Sequence, residues 1–253
     1  MLPSAAADGF RLDPAQLEAA ISPASKLLVL NSPSNPNGQA YQAHDWQALG
    51  EVIRQHPQLI VMSDDIYEHI YWAKSPLTGL LNVCPDLADR CVLVNGVSKA
   101  YAMTGWRIGY AVGPENIIAA MTKVQVESSS CASSISQAAA EAALNGPQNL
   151  LQPMLMAYQQ RHNYVLAQLS AIPGIDVLPS QGTFYTFPNC QQAIERLGYE
   201  DDVALVKAIL THTGVALVPG SAFGMAGHFR LSYATDLTLL KTACERLTRF
   251  FKT

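Results

Sequence analysis

Four short apolar runs, each followed by turn formers or charged residues, constrain this chain more than any total does. They are Lys26 to Asn31 (KLLVLN), Leu59 to Met62 (LIVM), Val92 to Val94 (VLV) and Ile108 to Val112 (IGYAV). Helix-length patterns lie between and beyond them. Residues Asp45 to Gln55, for example, place Trp46, Leu49, Val52 and Ile53 on one face. Short apolar runs alternating with helices predict an α/β fold with a mostly parallel sheet flanked by helices. Ligands of such sheets bind beyond the carboxyl ends of the strands, so the polar residues after each run are the first candidates for chemistry.

The first run delivers Ser32-Pro33-Ser34-Asn35-Pro36-Asn37-Gly38. By composition this is an ordinary βα turn, but an amide fixed there at Asn35 can also donate a directed hydrogen bond. The second run ends in Ser63-Asp64-Asp65-Ile66-Tyr67-Glu68. Either aspartate can cap a helix or hold a proton on a neighbouring base, and Tyr67 alone reads as a half-buried aromatic. The third run leads through Asn95-Gly96 to Lys99, and Arg107 opens the fourth, so both lie at strand ends joined by a loop of small residues. A lone loop lysine is by default solvated. This chain, however, holds only 16 Lys and Arg in 253 residues, the flanks of Lys99 are apolar, and an arginine follows. An amine held near a guanidinium is a poorer ammonium, as a nucleophilic or Schiff-base lysine requires.

Hydrophobic residues make up 49% and charged residues 14% of the chain, the balance of a soluble globular enzyme. A net charge of −4 offers no basic footprint for nucleic acid or an anionic membrane. No apolar run has the length of a membrane span, and the opening MLPSAAADGF lacks a basic segment followed by an apolar core. Five cysteines (Cys84, Cys91, Cys131, Cys190, Cys244) lie far apart without a CxxC pair, which predicts a reduced cytoplasmic protein without structural zinc.

Beyond Gly113 the pattern is helical from Glu115 to Ala143, broken by small polar residues near Ser128 to Ser134. A long helical stretch from Pro147 to Leu169 links what reads as two domains, residues 1–150 and a smaller α+β domain at 151–253. Two short strands are expected within Gly174 to Phe187, a helix over Asp201 to Thr211, strands at Val215 to Val218 and Phe229 to Tyr233, and a closing helix from Asp236 to Phe250. Arg230 falls inside the last strand; a charge there marks either an exposed edge strand or a paired group.

The string SKAYAMTGWRIGY (98–110) resembles the cofactor-lysine segment of class I/II aminotransferases, the fold-type I enzymes that use pyridoxal 5'-phosphate (PLP). Within them it is most similar to the bacterial aspartate (aspartate/prephenate) branch, and the resemblance extends over nearly the whole chain. It implies that Lys99 forms the Schiff base with the cofactor, that Asp64 meets the pyridine nitrogen, and that Asn35 and Tyr67 bond the phenolic oxygen. It also implies that Arg107 binds the phosphate and that Arg230, with Asn35, clamps the substrate α-carboxylate. Asn35-Pro36 is expected to be cis. Gly96 stands where many relatives carry a phosphate-binding serine, a contact left to Ser98 or a backbone N–H. The resemblance further implies a homodimer, amino-acid and 2-oxo-acid substrates, and a chain that corresponds to the C-terminal part of such an enzyme. A C–S lyase or decarboxylase on the same scaffold, and an inactive truncated relative, are the alternatives. A regulator's effector module would need a DNA-binding helix pair or basic patch, and neither is present.

Overall fold

Helix α1 (Pro14–Ala20) begins where Asp13 caps it, the Asp13 carboxylate accepting the Ala15 N–H at 2.9 Å. The four apolar runs then become β1 (Leu27–Asn31), β2 (Ile60–Asp64), β3 (Cys91–Gly96) and β4 (Gly109–Val112) of one sheet, in that order. The computed structural model describes residues 2 and 4–252. Strands β1, β2 and β3 are parallel. Their crossovers are α2 (Ala43–Gln55) and a segment holding α3 (Leu80–Val83) and the 3-10 turn Pro85–Arg90. No helix of that kind lies between β3 and β4; the loop 97–108 turns the chain back and β4 pairs antiparallel with β3.

Helix α2 starts two residues earlier than its apolar pattern, because Asp45 reaches back to accept the Gln42 N–H at 2.8 Å. Its spacing is that of an amphipathic helix, and Trp46, Leu49, Val52 and Ile53 all pack onto Leu30, Val61 and Cys91 of the sheet. Trp46 is wholly buried and satisfies its indole N–H on the Thr78 carbonyl at 2.7 Å. A buried tryptophan of this kind contributes about 3–5 kcal/mol against truncation to alanine.

Helices α4 (Glu115–Ser129) and α5 (Ser134–Asn145) follow, separated at the expected run of small residues. Helix α6 (Gln152–Ser170) begins only after a 3-10 turn at Gln148–Leu151 that follows Pro147. The remaining helices are α7 (Gln191–Leu197), α8 (Asp202–Thr213) and α9 (Leu237–Phe251), the last two capped by the side chains of Asp201 and Asp236. They accompany a second, antiparallel sheet of β5 (Tyr185–Thr186), β6 (Val218–Pro219) and β7 (Phe229–Ser232), ordered β5-β7-β6. Two expectations are corrected here. Of the two strands expected within Gly174 to Phe187 one forms, as β5, while residues 174–184 make isolated bridges, Asp176 to Asn189 and Gly182 to Tyr71, because their backbone groups bond to other loops. The strand expected from Val215 shrinks to Val218 and Pro219, since only these two lie beside β7 before Gly220–Phe223 turns away.

Tyr67, Ile70 and Ala100 share a buried cluster with Leu169 of α6, Leu205 of α8, Phe229 of β7 and Leu247 of α9. The loops that follow β2 and β3 therefore share one apolar cluster with the antiparallel sheet and its helices, and loop 34–39 presses onto turn 179–183. The Gly38 carbonyl accepts both the Gln181 N–H at 2.8 Å and the Gly182 N–H at 3.0 Å. Gly38 itself has φ +70°, and a Cβ on it would fall 2.6 Å from the Ser180 Cβ. Left-handed backbone and overpacking both penalise a side chain there, so Gly38→Ala should destabilise the fold by about 2–4 kcal/mol. Urea unfolding at constant m-value measures this.

Candidate functional site

The parallel register aligns Asn31, Asp64 and Val94 across the carboxyl edge of β1, β2 and β3. Loops carrying Asn35, Tyr67 and Lys99 leave from that one edge, as the topology of an open sheet requires. The Asn31 carboxamide ties the first two strand ends together: its Nδ2 donates to the Asp64 carbonyl at 2.9 Å and its Oδ1 accepts the Asn35 N–H at 2.8 Å. Asn35-Pro36 is cis as expected, and so is Ser32-Pro33.

From the other sheet, Arg230 donates through Nη1 to the Asn35 Oδ1 at 2.9 Å. Its strand, β7, is the middle one of three, which removes the edge-strand explanation for the charge. The guanidinium lies 4.4 Å from the Tyr185 ring centroid and 5.0 Å from that of Phe223. The Arg230 Nε is buried without a hydrogen-bond partner, and no carboxylate among the described residues forms an ion pair with this arginine. A buried, unpaired guanidinium donor is costly unless an anion meets it.

Tyr67 is buried edge-on against Phe184 and Tyr185, with centroid separations of 5.6 and 6.0 Å, and its hydroxyl lies 3.5 Å from that of Tyr185. Burial first, and the Tyr185 hydroxyl second, push the Tyr67 hydroxyl well above the usual tyrosine range. The Lys99 Nζ stands 5.9 Å from the Phe184 ring centroid. Its ammonium also interacts with the Asp64 carboxylate.

The two aspartates are distinguished by their surroundings. Asp64 accepts the Ile66 N–H at 3.2 Å, while Asp65 is engaged by the Ser63 hydroxyl at 2.8 Å. Burial raises both carboxyl pKa values, but only Asp64 has Lys99 pulling it back, whereas Glu68 and Asp64 push Asp65 further up.

Asn35, Asp64, Tyr67, Lys99 and Arg230 thus form a connected set, joined through Phe184 and Tyr185. Arg107 is not part of that set. It is exposed at the far end of loop 97–108, with φ +56° and its Nη1 donating to the Thr104 carbonyl at 2.9 Å. The charge that Lys99 acts on is the Asp64 carboxylate, which it draws down against the effect of burial. Gly96 leaves no room for a side chain, since a Cβ would sit 2.9 Å from the Ile108 carbonyl oxygen. Tyr185 and Phe184 were read only as strand residues in the sequence. The aromatic pair beside Gly182 was the available signal.

The family model for aminotransferase class I and II matches residues 2–247. This chain belongs to the class I and II aminotransferases. It is 47% identical over 244 residues to an aspartate/prephenate aminotransferase of Nitrosomonas europaea, covering 94% of this chain and 62% of that protein. An aspartate aminotransferase of Geobacillus stearothermophilus is 46% identical over 243 residues, covering 96% of this chain and 62% of its own. The solved aspartate aminotransferase of Rhizobium meliloti superposes with a TM-score of 0.93 at 44% identity, over 98% of this chain and 63% of that one. An aromatic aminotransferase from Pyrococcus horikoshii gives 0.92 at 32% identity, over 99% and 66%. The chain thus spans less than two thirds of the length of these aminotransferases.

Asp64 also supplies a test on the cofactor-free protein. A carboxyl whose folded pKa is raised binds its proton more readily when folded, so its ionised form costs stability. That cost is absent below the ordinary value of 3.8 and is complete once pH has risen through the folded value. Asp64→Asn should therefore raise the urea midpoint at pH 7, by a fraction of a kcal/mol because the group is only half buried, and the gain should vanish on acidification.

Proposed function

We propose that this chain forms the lysine-bearing part of a PLP-dependent aminotransferase that moves an amino group between an aspartate-like amino acid and a 2-oxo acid. The observation that carries the reading is Arg230: a guanidinium held by Asn35 and two aromatic rings, with a buried Nε still lacking an acceptor. An α-carboxylate supplies that acceptor. The donor amino acid rests on the names of the relatives.

The residues at hand fit the cofactor. An amine and a carboxylate that attract one another lie on the chain segments at and beyond two neighbouring strand ends, with Phe184 beside the amine. Lys99 would hold PLP covalently, Asp64 would meet its ring nitrogen, Tyr67 and Asn35 its phenolic oxygen, and Arg107 its phosphate. When bound, PLP supplies an electron-withdrawing ring that stabilises negative charge at the substrate α-carbon. The half-buried Asp64 carboxylate is stabilised by any cation placed against it, which offsets its desolvation. The Lys99 amine takes the proton from the substrate α-carbon and returns it elsewhere, as general acid and base. Arg230 fixes the carboxylate so that the α-hydrogen meets that amine.

A homodimer belongs to the same reading. Helix α4 buries none of its residues, and Met121, Val124 and Val126 on it, with Ile135 on α5, are exposed apolar side chains. We divide the chain at about residue 150, with the parallel sheet in residues 1–150 and the antiparallel sheet in 151–253. All five cysteines are unpaired, which suits the cytoplasm, and among the described residues no helix is long and apolar enough to cross a membrane.

Two measurements on the full-length protein test this. Added PLP should form a coloured adduct that borohydride fixes to Lys99, located by peptide mass, and Lys99→Ala should form none. Transfer of an amino group from aspartate to a 2-oxo acid should be lost about a hundredfold in kcat/KM in Arg230→Lys, which cannot grip a carboxylate through two parallel bonds. Release of sulfide or carbon dioxide without a new amino acid would sink the aminotransferase reading.

A further inference from the structure

Turn 179–183 touches none of the chemistry directly, yet it holds both halves of the proposed carboxylate clamp. Toward the Asn35 loop it receives the Gln39 Nε2 on the Pro179 carbonyl at 2.7 Å, and the Gln181 Oε1 accepts the Ala40 N–H at 2.9 Å. These add to the two bonds on the Gly38 carbonyl. Toward Arg230 it leads directly into Tyr185, whose ring lies against the guanidinium. The Ser180 hydroxyl lies between the two, 3.2 Å from the Asn37 carbonyl and 2.9 Å from that of Tyr185.

One donor of this turn reaches neither side. The buried Ser180 N–H points away to α6 and is accepted by the His162 Nε2 at 2.9 Å. His162 is 3% exposed, with the Trp72 and Tyr233 ring centroids 5.4 and 5.9 Å away. An Nε2 that accepts a backbone N–H carries no proton, so the ring is neutral with its hydrogen on Nδ1, 3.1 Å from the Asn163 Oδ1. Burial favours that neutral form. A leucine or phenylalanine would fill the space as well for packing alone, so the acceptor nitrogen is what the position adds.

We infer that His162 is a positioning residue for the Asn35–Arg230 clamp, acting through the Ser180 N–H to set the turn that both clamp residues lean on. The inference rests on the carboxylate-binding role proposed above for Arg230. Without the acceptor, Ser180 must turn its N–H toward water, and the turn shifts away from Gly38 and Tyr185. Carboxylate binding then weakens, while the covalent attachment of cofactor at Lys99, on a different loop, persists although Asn35 also reaches the cofactor.

The test uses the full-length protein loaded with PLP, and maleate as a dicarboxylate that carries no amino group. His162→Phe should raise the KM for aspartate and the Kd for maleate about tenfold, with kcat within about twofold and PLP uptake unchanged. His162→Gln, whose Oε1 can accept the same N–H, should return both to within about threefold of wild type. If His162→Phe does not fold, His162→Leu serves as the variant without an acceptor. Unchanged maleate affinity in the acceptor-free variant overturns the inference. So does failure of His162→Gln to restore it, or an equal loss of kcat and PLP uptake, which marks general damage. Wild type that takes up PLP while the variants bind maleate equally well sinks this inference alone. Wild type that binds neither sinks the function proposed above and this with it.

Discussion

The close approach of loop 34–39 to turn 179–183 is the constraint on which the site depends. One carbonyl, that of Gly38, accepts two N–H groups from a turn more than a hundred residues away, and a side chain at Gly38 or Gly182 would part the surfaces. Gly182 is as crowded as Gly38, since a Cβ on it would press on the Ile70 carbonyl. Through this seam a loop from the parallel sheet and a strand from the antiparallel one share a hydrogen bond between Asn35 and Arg230. Without the seam each of those residues would sit on a separate surface.

The remaining geometry follows from parallel register. Pairing Asn31 with Asp64, and Asp64 with Val94, brings three chain crossings to one edge, and everything polar after those strands must emerge there. The edge is also where the desolvation of Asp64 is tolerated. An aspartate at a strand end with Lys99 nearby and an N–H from Ile66 retains enough compensation to stay half-buried. The site therefore holds a carboxylate and a guanidinium that are each incompletely paired, at some cost to stability. Such a cost is common at binding sites, where the ligand completes the pairing.

How much of this was legible differs from residue to residue. Strands β1 to β4 announced themselves as apolar runs, α2 as a helical face and α9 as a closing helix, because short-range pattern and burial agree there. Residues 174–184 and 215–217 misled, because the backbone bonds of the first run to other loops and the Val215 N–H turns to the Thr213 hydroxyl, which local pattern does not record. Among the candidate site residues, Asn35, Asp64, Tyr67, Lys99 and Arg230 lie in one connected set, which no contiguous stretch of sequence displays. Arg107 stands apart from it, and the aromatic groups that join the set, Phe184 and Tyr185, drew no notice as part of a site.

The sequence by itself determined the strand-turn-helix order, the chemistry available at each strand end, and the family to which the motifs belong. Those properties are written in contiguous residues and need only local hydrophobic period and turn preference. Only the tertiary structure decided that Arg230 sits in a central strand with an unpaired Nε, that the charge of Lys99 acts on Asp64, and that His162 reaches Ser180. Each of these depends on contacts across tens to hundreds of residues, where burial and hydrogen-bond partners are set by packing and leave no trace in the neighbouring sequence.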